Sequence, residues 1–348
     1  MTSRPDNASS NAPGVGAWRD LEGITSSLRV AFVEGDEPRM LHAATRVEEA
    51  GLCRPVLMGD RAGIERAVHE RVADIVDVSD SAVRAQLLDD FERHTGHAPE
   101  LGRESPTNPA LWGAMLVRCG WVDAAIGGAR TTSADMLRAG LSCIGLATDR
   151  STVSGAMFLD TQRPDIGSNG TLAFADAVVT PLPTIEQLVD IAAATAQSWR
   201  ALMKTEPRIG FLSFSTHGSS ASSHVTRIQE AVALFKQSFP EEVVDGELQF
   251  DSAVSKAVAD RKHAVGEVAG TANVLIFPSL DSANIAYKVA EQLGGARARG
   301  LLQGLAQPLA DVSRGASVDD IVMTVRMLLV DALQRLAPES NRREGVRS

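Results

Sequence analysis

The strongest constraint on this chain is an alternation that runs along most of its length. Short apolar runs of strand length are each followed by a longer segment with apolar residues at helical spacing. Leu28–Val33 (LRVAFV) is the first run, and Pro38–Ala50 follows at helical period until Gly51 stops it. Pro55–Met58, Ile75–Val78 and Asp123–Ile126 read as further strands. Between them lie a helix from Ala62, one over Ser81–His94, and one over Asn108–Arg118 with Pro109 in its first turn. The second half keeps the rhythm. Val153–Leu159, Leu172–Val179, Ile209–Phe214, Glu247–Phe250 and Val274–Phe277 read as strands, and Thr184–Leu202, Ser282–Leu293 and Val318–Leu336 as helices. Such alternation predicts α/β layers with mostly parallel sheets. A chain of 348 residues has room for about two domains. The proline-containing stretch Thr161–Ser168 is the expected crossing between them.

Composition removes several classes of function. Lys and Arg number 34 against 44 Asp and Glu, a net charge of −10 that argues against a general nucleic-acid partner. Aromatic residues at 4% provide no base-stacking platform. Cys53, Cys119 and Cys143 show no CxxC spacing, so reduced thiols in a cytoplasmic protein are expected, not a disulfide framework. The histidines form no HExxH-type spacing, and no metal site is expected. No apolar run approaches the roughly 18 residues of a membrane span. Residues 1–16 and 338–348 read as loose tails.

Three clusters can carry chemistry. Asp311–Asp320 (DVSRGASVDD) opens the last helix. Ser317 with Asp320 three residues on fits a capping box with Asp in place of Glu or Gln, which is a sufficient structural reason for both. Arg314 beside Ser313 and Gly315 also suits a phosphate. Gly127–Arg138 (GGARTTSADMLR) is a strand–glycine–helix unit, an anion cradle by its backbone or simply a capped tight turn. It is neither a Walker A sequence nor GxGxxG. Ser213–Ser220 ends a strand in small hydroxyl residues around His217, which reads as a base, an anion donor or a solvated loop histidine. All three lie where open α/β sheets bind ligands.

The order of the segments then carries a resemblance. Phe277–Lys288 (FPSLDSANIAYK) resembles the FPDLNTGNIGYK segment of the phosphate acetyltransferases, within the phosphate acetyl/butyryl transferase family. Gln303–Pro308 followed by Ser313–Gly315 resembles their QGLxKPVNDLSRG. Asp245–Gln249 matches DGELQ, Ser213–Ser219 resembles SFSTKGS, Gly128–Arg138 resembles GAxxxTADxLR, and Phe32–Gly35 resembles FPEG. The likeness runs from about Leu28 to Leu336.

This resemblance implies an α/β fold like the isocitrate/isopropylmalate dehydrogenases, with two domains flanking a cleft. The expected division is a tail over 1–27, a discontinuous domain over 28–150 plus 303–348, and a second domain over 151–302. It implies reversible transfer of an acetyl group between coenzyme A and inorganic phosphate, with acetyl phosphate as the other substrate. It further implies a homodimer that requires no redox cofactor or metal; with the charge and hydropathy above, no nucleic-acid or membrane partner is expected. Carried over position by position, Asp320 matches the base that takes the CoA thiol proton, Arg314 the arginine that stabilises negative charge, and Ser313 the serine that stabilises the tetrahedral intermediate. Arg138 and Arg93 match arginines that hold phosphate groups. Thr132, Asn284, Gly128 and His217 are expected to line the same cleft, where Arg93, Arg138 and Arg314 converge. His217 stands where Lys or Arg is common, Thr131 replaces Asn, Ala139 replaces Pro, and Val33 replaces the Pro of FPEG. Gly155 lies in a strand where the family carries more bulk, which predicts a reshaped acyl pocket. A longer acyl group, or acyl-CoA binding without catalysis, stays open at this point.

Overall fold

The computed structural model describes residues 24–67, 74–99 and 108–336. The predicted tails over 1–16 and 338–348 lie outside the described residues. The elements run β1 (Arg29–Phe32), α1 (Pro38–Glu49), β2 (Arg54–Met58), α2 (Arg61–Ala67), β3 (Asp74–Val76), α3 (Ser81–Thr95), α4 (Pro109–Arg118), β4 (Ala124–Gly127) and α5 (Ser133–Ala139), which continues into a π-helical turn over Gly140–Ile144. The chain continues through β5 (Ser154–Asp160), β6 (Thr171–Ala175), α6 (Ile185–Met203), β7 (Arg208–Leu212), α7 (Ser223–Ser238) and β8 (Val243–Leu248). It then forms α8 (Phe250–Val254), α9 (Lys256–Arg261), β9 (Val274–Ile276), α10 (Leu280–Gly294), β10 (Arg297–Gln303), β11 (Leu309–Asp311) and α11 (Val318–Leu336).

Two sheets result. The first has the order β11–β4–β1–β2–β3 and every pairing is parallel. Its inner strands β1 and β4 are mostly apolar because both faces are covered. Along β1 and its extension, Val30 and Phe32 point into the core beneath α1 and α11, while Ala31 and Val33 point into the core beneath α4. The second sheet has the order β10–β5–β6–β9–β7–β8, antiparallel across β10, β5 and β6 and parallel beyond.

The structure departs from the sequence reading at three places. Thr161–Ser168 is not a crossing. Asp160 pairs with Thr171 across antiparallel strands, so this stretch turns the chain back within the second sheet. The chain passes between the sheets at 145–153 and returns at 304–308. These two passages bond to each other through Ala147 N–H to Gly304 O and Ala306 N–H to Gly145 O, both 2.9 Å. Second, β8 ends at Leu248, and Phe250 opens a helix instead of ending a strand. Third, β10 and β11 were not anticipated. The first carries Arg297 and Arg299 through its length, and the second has only three residues.

The last helix joins the two sheets. Ile321, Val325, Leu328 and Leu329 pack into the core of the first sheet, while Met327 and Val330 pack into that of the second. Both stripes are apolar, so the helix position is set from two sides, and its first turn with it. Leu328 is fully buried. Leu328→Ala should lower unfolding free energy by about 2–5 kcal/mol, the usual cost of such a cavity. Urea unfolding followed by circular dichroism measures this, and the folded spectrum should stay unchanged.

Candidate functional site

The parallel sheet puts two loop–helix units side by side. β4 and β11 are neighbours, with Gly127 opposite Asp311. The loop after β4 leads into α5 and the loop after β11 into α11, so both helix N-termini open at one edge.

The first loop is shaped from inside. Glu34, 2% exposed at the end of β1, accepts the backbone N–H groups of Gly128 and Ala129 on one carboxylate oxygen, at 3.1 and 2.9 Å. Its other oxygen accepts those of Arg130 and Thr131, at 2.9 and 2.6 Å. The cradle expected to take an anion is therefore filled by a carboxylate of the chain itself. The Gly128 N–H is committed to Glu34, so Gly128 shapes the loop from inside. Gly128 is glycine for space and conformation. Its φ is +105°, and a Cβ there would stand 2.2 Å from Oδ1 of Asp311. Burial pushes the Asp311 carboxyl up to about 7, with Ser133 opposing through a hydrogen bond and Glu34 adding to the rise. At acidic pH Glu34 is thus spared a second negative neighbour.

Arg39 joins this loop to the next. Its guanidinium donates to the carbonyl oxygens of Arg314 (2.7 Å), Ala316 (2.9 Å) and Ala129 (3.2 Å), while Nε bonds Glu37 at 2.8 Å. The backbone on both sides of Gly315 is therefore held against the loop after β4. The Arg314 guanidinium is exposed and has no hydrogen-bond or ion-pair partner among the described residues. Ser313 Oγ accepts the Gly315 N–H at 3.2 Å and is also exposed.

Asp320 fulfils the capping expectation. Its Oδ2 accepts from Ser317 N–H at 3.1 Å and from Ser317 Oγ at 2.6 Å, and its own N–H returns to Ser317 Oγ at 3.2 Å. That leaves Oδ1, which faces Nη2 of Arg299 at 3.8 Å. The cap fixes the carboxylate without consuming both of its oxygens.

On α5, Thr132 is the N-cap and its hydroxyl donates to Asp135 Oδ2 at 2.7 Å. Arg138 Nη1 donates to Asp135 Oδ1, also at 2.7 Å. The Thr132 hydrogen bond first, and Arg138 after it, hold the Asp135 carboxyl below its ordinary range. Arg138 is exposed, so this pair is weak and an incoming anion can displace it.

The structure thus brings Gly128, Thr132, Arg138, Ser313, Arg314 and Asp320 to one edge. Three other predicted residues are engaged elsewhere. Arg93, on the last turn of α3, bonds Asp89 at 3.0 Å and Asp90, and Asp89 raises its pKa further. The expected meeting of Arg93 with Arg138 and Arg314 has no direct contact behind it. His217, with φ +45°, directs Nε2 to Asp245 Oδ1 at 3.0 Å. Its loop closes on buried Glu247, which accepts from Ser215 Oγ and the Gly218 N–H. Asn284, on α10, donates to the Ala177 carbonyl at 3.2 Å and accepts from Lys288 at 2.7 Å. Ala177 starts a loop gathered by Asp176, which accepts the N–H groups of Gly155, Val178, Val179 and Thr180. Gly155 leaves no void there, because a Cβ on it would lie 2.4 Å from the Val178 side chain.

Four residues of this site were not singled out from sequence: Glu34, Arg39, Asp311 and Arg299. Glu34 sits inside the FPEG-like segment, which was a usable signal. Arg299 gave none, since charge within a short strand reads as loop.

Comparison with known proteins supplies the context. The model of a family described as Phosphate acetyl/butaryl transferase matches residues 24–329. A phosphate acetyltransferase of Clostridium acetobutylicum is 38% identical over 313 residues, covering 87% of this chain and 94% of the relative. One from Paracoccus denitrificans is 39% identical over 297 residues, covering 84% and 91% respectively. The crystal structure of a phosphotransacetylase from Streptococcus pyogenes superposes with a TM-score of 0.82 at 29% identity, over 94% of this chain and all of that one.

Glu34→Gln should test the inner carboxylate. It keeps the size but removes the charge that receives these N–H groups, each such bond being worth about 1.5–3 kcal/mol. Amide exchange at residues 128–131 should accelerate at least tenfold, while exchange in the α6 interior stays as it was.

Proposed function

The chain belongs to the phosphate acetyl/butyryl transferase family, and from that premise we propose how its site performs the reaction. The reaction is the reversible transfer of an acetyl group between coenzyme A and inorganic phosphate. One observation carries the mechanism. Asp320 is anchored through a single oxygen at a helix N-terminus, near exposed Ser313 and an Arg314 guanidinium that has no partner among the described residues.

A free thiol has a pKa of about 8.5, so only a few per cent is thiolate at neutral pH. In this reading Oδ1 of Asp320 takes the CoA thiol proton. The thiolate attacks the carbonyl carbon of acetyl phosphate. Ser313 donates a hydrogen bond to the oxygen that becomes negative, and Arg314 offsets the charge. The tetrahedral intermediate then collapses, the carbon–oxygen bond to phosphate breaks, and phosphate leaves. Arg138 holds the phosphoryl group by exchanging Asp135 for it, and Thr132 adds a hydroxyl at the same helix start. Arg93, Asn284 and His217 serve the more distant parts of the CoA.

Direct transfer is favoured over an acylated cysteine by the state of the thiols. Burial pushes Cys53 up to about 12, and Cys119 and Cys143 up to about 11, so thiolate is negligible at neutral pH. The native protein should therefore react with an aromatic disulfide reagent at pH 8 far more slowly than the urea-unfolded chain. Rapid modification of a thiol together with loss of activity would defeat direct transfer.

Acetyl is the preferred acyl group in this reading, because Val178 fills the space beside Gly155. Comparing kcat/KM for acetyl, propionyl and butyryl phosphate checks that choice. The same reading includes an isocitrate/isopropylmalate dehydrogenase-like architecture, with one domain over 28–150 plus 303–348 and the other over 151–302. It also includes a cytoplasmic homodimer. Support for the dimer comes from Ile285, Val289 and Leu293, an exposed apolar stripe at helical spacing along α10.

Asp320→Asn should lower kcat by about 10²- to 10⁴-fold, the usual worth of a general base. Thioester absorbance on mixing with CoA and acetyl phosphate follows this. Unchanged kcat would remove Asp320 from the role.

A further inference from the structure

We propose that Arg299 is a positioning residue for Asp320. Resting on the reading of Asp320 as the base, the inference adds a residue from the opposite sheet to the machinery.

The argument starts from the oxygens of Asp320. Oδ2 is occupied by the Ser317 N–H and hydroxyl. Oδ1 must then receive the thiol proton, and something must keep it in place without occupying it. Arg299 Nη2 lies 3.8 Å away, close enough for charge attraction and too far for a hydrogen bond. A closer guanidinium would take the lone pair that the thiol proton needs.

The guanidinium is itself buried. Arg299 is 7% exposed on β10, and burial pulls its pKa below the usual arginine range. Acidic groups face it from two elements, Asp320 and Asp319 on α11 and Asp160 on β5, while Arg297 on its own strand opposes them. Asp160 is held by Arg297 at 2.9 Å and Asp319 by Arg46 at 2.5 Å, so each already has another cation. Glu291 on α10 also senses Asp320. Arg299 belongs to the second sheet and Asp320 to a helix whose N-terminal turn follows the first. The pair therefore aligns the base with the opposite side of the molecule.

Arg299→Gln, Arg299→Lys, Asp320→Asn and the double variant Arg299→Gln/Asp320→Asn decide the matter. Arg299→Gln should lower kcat about tenfold to a hundredfold, the cost of a base misplaced by about an ångström, with KM for acetyl phosphate changed less than twofold. Arg299→Lys should recover most of kcat. The double variant should be no slower than Asp320→Asn, because Arg299 acts through Asp320. Equal fold-losses in both backgrounds, a loss confined to KM, or no rescue by Lys would overturn the proposal. If Arg299→Gln does not fold, Arg299→Met takes its place in both backgrounds. A kcat loss that vanishes in the Asp320→Asn background supports the inference, and one that persists there overturns it. Asp320→Asn at full activity would instead overturn the role of Asp320, and this inference with it. A slow Asp320→Asn beside an unaffected Arg299→Gln would overturn only the inference.

Discussion

A buried carboxylate that collects backbone amides is the interaction on which the rest of this structure depends. Glu34 does this for the loop after β4 and Asp176 for the loop after β6. Each loop contains consecutive or nearly consecutive N–H groups that strand pairing cannot satisfy. Left alone in a buried position, each would cost the desolvation of an amide. A single carboxylate satisfies several at once and fixes the loop shape. The arrangement also explains how an acidic protein builds the edge of a site for polyanions: the negative charges are inward, and the arginine side chains are outward.

The second organising fact is geometric. Two passages of chain connect the sheets, and they bond to one another. The last helix then packs an apolar stripe on each sheet. Its first turn, which holds Asp320, is therefore located by both halves of the molecule, and Arg39 clamps the neighbouring stretch.

Much of this was legible in the sequence, for definite reasons. Apolar runs such as VAFV identify strands covered on both faces, and the Ser317–Asp320 spacing identifies the helix start. Periodicity could not reveal β10, because a strand that buries Arg299 has no apolar pattern. It could not assign Thr161–Ser168 either, since a turn within a sheet and a crossing between sheets have the same residues. The cradle at Gly128 was recognised as a set of amides aimed at negative charge. What filled it depended on a contact 94 residues away in the chain, and no local reading supplies that. His217 and Asn284 make their contacts within loops of the second sheet, and no local reading supplies those either.

The filled cradles also bear on turnover. With the Gly128–Thr131 amides already saturated, affinity for phosphate falls to side chains, and Arg138 is already held by Asp135. On the proposed reading, binding there is an exchange of one carboxylate partner for another anion, not the filling of an empty hole. Arrival then releases an internal carboxylate, and that carboxylate stands ready to take the arginine back. Such a swap costs little in either direction. An enzyme that must run its reaction both ways is well served by a grip that its own neighbours compete to replace.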